Sequence, residues 1–233
     1  LVGSEMCIRD RVSAVPVIGG TKTPTLSKIA AAQPDLVVMD RDENPKSVHD
    51  WCIANGFPTF VCHVRHPSEV PSMLRELGKA VERSEAAEAH AQAVERALLA
   101  APVTGERTGL PLIWLKPLMA ANGTTYAGNM LACAGFSVPD IEPDGTGYPE
   151  VTPEIIVENG VTDVFLSSEP HEFTNEEGES LAEAFRALTD APPDIHFIDG
   201  EDLTWMGTRT AEALERLSPV SYTHLRAHET VTY

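Results

Sequence analysis

Basic residues are scarce in this 233-residue chain: 17 lysines and arginines stand against 35 aspartates and glutamates, a formal net charge of −18. A surface of that sign repels phosphate backbones, which argues against nucleic-acid binding and favours solubility. Cysteine is sparse as well, at four residues. Cys7 sits in an atypical leader, and Cys52, Cys62 and Cys133 are too scattered for a disulfide framework. They read as buried thiols, with a Cys52–Cys62 pair as the alternative. No run of eighteen apolar residues occurs, so no segment reads as a transmembrane helix. Signature motifs of catalysis are missing too: there is no Gly-x-Ser-x-Gly elbow, no Walker loop, no His-Glu-x-x-His and no Gly-x-Gly-x-x-Gly. No covalent cofactor and no enzymatic activity are expected, although missing motifs do not by themselves exclude catalysis.

What is present is a core of ordinary size. Hydrophobic residues make up 42% of the chain, enough for one large domain or two lobes of about 100 residues each. The two ends stand apart from the interior. LVGSEMCIRDRV and SYTHLRAHETVTY resemble translated sequencing-adapter read-through, so residues 1–12 and 219–233 read as a non-native leader and tail.

The interior says one thing twice. TPTLSKIAAAQPDLVVMD, residues 23–40, and TPEIIVENGVTDVFLSSE, residues 152–169, each run from Thr-Pro through a short helical pattern to an Asp and an apolar run. In the first copy Thr23 is expected to cap a helix with Pro24 at its first position, and Pro34 to end it. Asp35–Met39 then reads as a buried parallel strand, followed by a helix over 47–55 and a strand over 58–62. In the second copy Thr152 caps, Pro153 starts, and 163–166 is the strand. A strand over 110–115 and a helix over 125–134 precede it; a strand over 195–198 and a helix over 208–217 follow it. Between the halves, residues 78–101 are rich in Ala, Glu and Arg with no Gly or Pro after Gly78, which predicts one helix about 35 Å long. The expected architecture is α/β, two Rossmann-like lobes with parallel sheets over 13–77 and 108–218, joined by that helix, with a ligand held in the cleft beyond the carboxyl ends of the strands.

Four stretches carry a family resemblance: IGGTKTPTLSKIAAAQPDLVVMD (18–40), WLKPLMAANGTTYAGNMLACAG (114–135), YPEVTPEIIVENGVTDVFLSSEPHEF (148–173) and DGEDLTWMGTR (199–209). Their order resembles the solute receptors of ABC transporters with a helical backbone, the group that binds iron-siderophores, haem and vitamin B12, and most of all its cobalamin-receptor-like branch. The resemblance covers about residues 15–217. It implies the class III periplasmic-binding fold, a first lobe truncated at its amino end, a monomer, a periplasmic or membrane-anchored extracytoplasmic location, and a permease as partner. The implied ligand is a metal-containing cofactor, cobalamin or another corrinoid first, with a ferric siderophore or haem as the alternative. A cytosolic metal- or corrinoid-handling protein or enzyme without a transporter is the rival of a different class.

The candidate ligand contacts follow from both lines. Trp205 and Arg209, four apart, make an aromatic platform with a guanidinium beside it, against the plainer reading of packing and capping. Met119, Tyr126 and Tyr148 offer an apolar and hydroxyl wall after a strand. His171 offers an imidazole to a metal centre, or is an ordinary surface histidine. Asp40 stands where a cobalamin receptor can carry a tryptophan. No protein-bound metal site is expected: His63 and His66 follow a strand and lack the four ligands a structural site needs. Asn122-Gly-Thr124 reads as a turn. For docking to a permease the resemblance points to Glu43 on the first lobe and to Glu169, Glu172 or Glu176 on the second, although any one of 35 acidic residues can be a simple solvated charge.

Overall fold

The computed structural model describes residues 15–101, 107–142 and 145–218. The adapter-like ends, 1–12 and 219–233, lie outside the described residues. The chain divides into two compact units, one built from residues 15–63 and 77–83 and the other from 64–76 and 84–218. Each has its own sheet.

In the first unit, helix α1 (Leu26–Ala32) leads to strand β1 (Val37–Asp40), helix α2 (Lys46–Ala54) and strand β2 (Thr59–Cys62). β1 and β2 pair in parallel, Val37 against Thr59 through Asp40 against Cys62. Ile29, Met39, Val48 and Cys52 form the buried centre, and Trp51 stacks on Phe57 at 5.8 Å. The strand–helix–strand order is the one expected. The cap is not: α1 starts at Leu26, and Thr25 in the cap position makes no side-chain bond. The reason is local pairing. The Thr25 N–H donates to the Ile18 carbonyl at 2.7 Å, and Pro24 bridges Gly19, whose φ of +114° suits glycine, so 24 and 25 are held extended. At the other end Gln33, which precedes Pro34, leaves the right-handed region and closes the helix as expected. All three described cysteines are free, so no Cys52–Cys62 bridge forms.

The helix predicted over 78–101 is a correction. It is two helices, α3 (Val70–Ala80) and α4 (Ser84–Leu99), parted at 81–83 where Glu82 takes a φ of 56°. The turn needs neither Gly nor Pro, and side-chain ties hold the two helices together across it. Arg75 on α3 donates to Glu88 at 2.7 Å and to Glu95 at 2.7 Å on α4. In one straight helix Arg75 and Glu88 would be about 20 Å apart, so the chain must fold back on itself. Ala91 and Val94 of α4, fully buried, join the second unit's core with Val70 and Leu74 instead of standing in a free rod.

The second unit carries a four-stranded sheet in the order β4–β3–β5–β6, from strands β3 (Gly109–Trp114), β4 (Met119–Ala120), β5 (Asp163–Ser167) and β6 (Asp194–Ile198). β3, β5 and β6 are parallel; β4 is antiparallel to β3. Every residue of β5 is buried, as its continuous apolar run predicts for a strand covered on both faces. Alternation sends Val164 and Leu166 to one face, with Leu110, Leu112, Ile156, Leu181 and Phe185. Phe165 goes to the other, with Met130, Leu131, Phe136, Leu203 and Leu214. Helices α6 (Pro153–Glu158) and α7 (Asn175–Leu188) therefore cover the first face, and α5 (Tyr126–Cys133), α8 (Gly200–Thr204) and α9 (Thr210–Leu217) the second. The Thr152-Pro153 start holds: the Thr152 hydroxyl accepts from the Ile155 N–H at 3.3 Å. Asn122 of the Asn-Gly-Thr sequence is buried and donates to the Ile141 carbonyl at 2.7 Å, which makes it part of a turn, as read.

Candidate functional site on the carboxyl rim of the second sheet

The parallel strands β3, β5 and β6 all end on one side, and the segments that leave them bring together much of the predicted set. β3 outlasts its pairing with β5, which stops at Leu112, so Trp114 pairs only with Met119 of β4 and leaves 41% of its surface exposed. Its indole N–H donates to the Lys116 carbonyl at 3.0 Å, which fixes the ring at the strand end. The His171 ring, on the segment after β5, lies 5.8 Å from Trp114 edge to face and 4.7 Å from Phe173. After β6, α8 ends in Trp205, whose indole N–H donates to the Glu169 carboxylate at 3.0 Å. The three post-strand segments are thus tied to one another through Trp114–His171 and Trp205–Glu169.

Arg209 stands over the Trp205 ring at 5.6 Å, the predicted platform with its guanidinium. Its charge is already engaged. It donates to Glu201 and, at 3.4 Å, to Asp202, and lies 3.5 Å from Asp199, while its buried Nε has no partner among the described residues. Asp202, buried, is held a second time by Arg216 at 2.6 Å. Met119 and Tyr148 sit at the β4 edge, where 118–120 pairs with 149–151; Met119 is half-buried and Tyr148 exposed. Tyr126 is elsewhere. It is buried, its hydroxyl bonded to Thr210 at 2.8 Å, and burial drives its pKa well above the usual tyrosine range. Its place is between α5 and α9 in the core, which corrects the expectation of a wall residue.

Asp40 ends β1 in the first unit and serves its own turn. Its carboxylate accepts from the N–H groups of Asp42 at 2.8 Å and Glu43 at 3.1 Å, and burial raises its pKa in spite of those bonds. His66 caps the turn before α3, accepting from the Ser68 N–H at 3.1 Å, and His63 lies 4.0 Å from Asp42. Of the docking candidates, Glu43 is exposed beside Lys22 at 3.6 Å, Glu172 and Glu176 are exposed, and Glu169 is held by Trp205.

Two groups escaped the sequence reading. Trp114 read as one more residue of an apolar run; the signal was a bulky indole at the end of LPLIW, just before Leu-Lys-Pro. Glu177 read as one of many acids. It closes a capping box with Thr174 at the start of α7 and accepts from the Nε2 side of the His171 ring at 3.2 Å. The Thr174 backbone N–H, the His171 ring and the Thr174 hydroxyl hold its carboxyl below the usual range. At the opposite end of the sheet Asp163, Asp194 and His196 place potential metal-binding atoms within 4.8 Å of one another. Arg107 already spans that space, donating to Asp163 and, at 3.0 Å, to Asp194, so a guanidinium stands where a metal would.

A two-sheet α/β chain with aromatic side chains at its strand ends fits a solute-binding protein. The chain belongs to the periplasmic binding protein family, whose model matches residues 5–188. Solved structures share the fold. A periplasmic haem-binding protein of Vibrio cholerae superposes with a TM-score of 0.75 at 15% identity over 95% of this chain and 90% of that one. The periplasmic vitamin B12 binding protein of the same organism gives 0.71 at 15% identity over 95% and 85%. The apo periplasmic haem-binding protein of Roseiflexus sp. RS-1 gives 0.68 at 20% identity over 90% and 83%. No curated protein matches by sequence. No helix among the described residues is long and apolar enough to cross a membrane.

Proposed function

We propose that the chain is the solute receptor of an ABC importer, working outside the cytoplasm as a periplasmic or membrane-anchored monomer, and that its ligand is a corrinoid. The fold relatives support a flat metal chelate, since their names state vitamin B12 and haem. The charge of the rim favours the first of these. Glu169, Glu172, Glu176, Asp199 and Glu201 crowd it, Arg209 is engaged by three carboxylates, and Lys116 is the other lysine or arginine among the described residues of the segments 115–119, 168–174 and 199–209. Propionate arms of haem or an anionic ferric siderophore meet repulsion there, whereas the neutral amide arms of a corrinoid do not. Trp114 and Trp205 supply the apolar surface, with Met119 and Tyr148 at the edge. Glu43, Glu172 and Glu176, all exposed, are the acids offered to basic residues of a permease.

Intrinsic tryptophan fluorescence tests this, because two of the three tryptophans, Trp114 and Trp205, lie on the rim. Aquocobalamin is expected to quench saturably at one per chain, haemin and an anionic ferric tris-catecholate more weakly, and the W114F/W205F variant to lose the effect. No saturable quenching by any of the three contradicts the reading; tighter binding of haemin would move the ligand and leave the receptor.

A further inference from the structure

We propose that Glu169 is a positioning residue of the ligand site: it holds the Trp205 indole by its N–H and readies that ring for a bound chelate, an inference that rests on the receptor reading above. Glu169 stands apart from its neighbouring acids. Glu172 and Glu176 are exposed, as charges offered to a partner protein would be. Glu169 is half-buried, and its carboxylate accepts from the Trp205 Nε1–H at 3.0 Å. Its backbone is fixed at both polar atoms. The hydroxyl of Ser167, fully buried at the end of β5, donates to the Glu169 carbonyl at 2.6 Å and accepts from its N–H at 3.2 Å. The helix that leads to Trp205 is docked on the same segment. The Gly200 N–H donates to the Ser168 hydroxyl at 2.9 Å. An added Cβ at Gly200 would lie 2.6 Å from the Glu169 nitrogen, so the start of α8 meets this backbone at a distance that a larger residue cannot reach.

With both backbones held, the ring itself remains to be set. The Trp205 backbone N–H donates to the Glu201 carbonyl at 3.0 Å, Arg209 lies over the ring at 5.6 Å, and Glu169 takes the polar edge. An indole has one donor and no acceptor. At an open rim, water can serve that donor. Under a flat ligand it cannot, because a chelate laid on the ring displaces the water and leaves a buried donor without an acceptor. Glu169 supplies the acceptor in advance. The ring is also ordered before the ligand arrives, which lowers the entropic cost of binding. The carboxylate thus acts through Trp205 and not on the ligand. The ligand class it serves is one that lays a flat apolar surface on the indole and takes no hydrogen bond from it.

The test uses the full chain with aquocobalamin and haemin as probes. Binding is read by calorimetric titration, since quenching changes with the tryptophans themselves. E169A is expected to keep its melting temperature and to bind the chelate that wild type prefers about tenfold more weakly. E169Q still offers an oxygen acceptor and is expected to recover most of that loss. W205F keeps an aromatic ring and lacks the N–H; in that background E169A is expected to change the affinity by less than about twofold. A second readout needs no ligand. In heteronuclear NMR spectra the Trp205 indole N–H, assigned by its absence in W205F, is expected to exchange with water more slowly in wild type and E169Q than in E169A. Wild-type affinity in E169A, an equal loss in the W205F background, or equal indole exchange in wild type and E169A overturns the assignment while the receptor reading stands. If wild type binds neither chelate, both fall together.

Discussion

Asp163 is fully buried, yet it is held as an anion at the start of β5. Burial alone would raise its pKa; hydrogen bonds from His196 at 2.7 Å and Thr162 at 2.7 Å, with the charge of Arg107, outweigh that and keep the carboxyl below its usual range. A folded pKa lower than the unfolded one gives stability that is complete above the unfolded value, about 4, and is lost as pH falls through the folded value. D163N is therefore expected to cost about 2 kcal/mol at neutral pH, the low end for a broken buried pair because Arg107 is half exposed. In urea unfolding, the gap between wild type and variant should close as pH drops below about 4. A gap that does not change with pH would show that the pair contributes nothing as an ion. The same residue scale shows what a sequence hides. Asp163 read only as the start of a strand, because Arg107 and His196 lie 56 and 33 residues away and the fold alone brings them together. Tyr126 and Trp114 exchanged places for the same reason: a tyrosine at a helix start faced inward, and a tryptophan in an apolar run faced out.

At the scale of elements, periodicity and capping chemistry were legible and long-range side-chain ties were not. The strands stand where apolar runs put them, to within a residue or two, and Thr152-Pro153 opens its helix as read. The break between α3 and α4 was invisible, because 81–83 hold no Gly or Pro and the fold-back goes with Arg75 reaching two glutamates 13 and 20 positions on. Helix α7 and β4 were missed as well, the first because its acid-rich sequence looks like solvated surface, the second because two residues make no pattern. One glycine in α5 tests whether packing overrules propensity. Gly128 passes so close to the 122 turn that an added Cβ would lie 2.1 Å from the Asn122 carbonyl oxygen, a backbone atom that cannot step aside cheaply. Gly to Ala inside a helix ordinarily stabilises by up to about 1 kcal/mol. Here G128A is expected to do the reverse, costing about 2 kcal/mol or more through overpacking, as read by thermal or urea unfolding. A more stable G128A would mean that the contact between α5 and the turn is looser than described.

For the whole molecule, pattern pointed to an α/β chain with two sheets and the resemblance to a solute receptor, and the family match agrees; the first sheet is parallel and the second mixed, since β4 runs antiparallel to β3. The candidate site was half legible. Trp205, Arg209 and His171 do come to the strand ends, but Glu177 and Trp114, which orient and flank the imidazole, carry no signature in a chain with 35 acids and a core rich in apolar residues. Placement of the ligand at the carboxyl rim is the central claim, and amide hydrogen exchange with and without aquocobalamin tests it most directly. Protection is predicted in the segments leaving the strands, 115–119, 168–174 and 199–209, with none at the amino ends around Arg107, Asp163 and Asp194. Protection at those amino ends, or no change anywhere in the second unit, would contradict it.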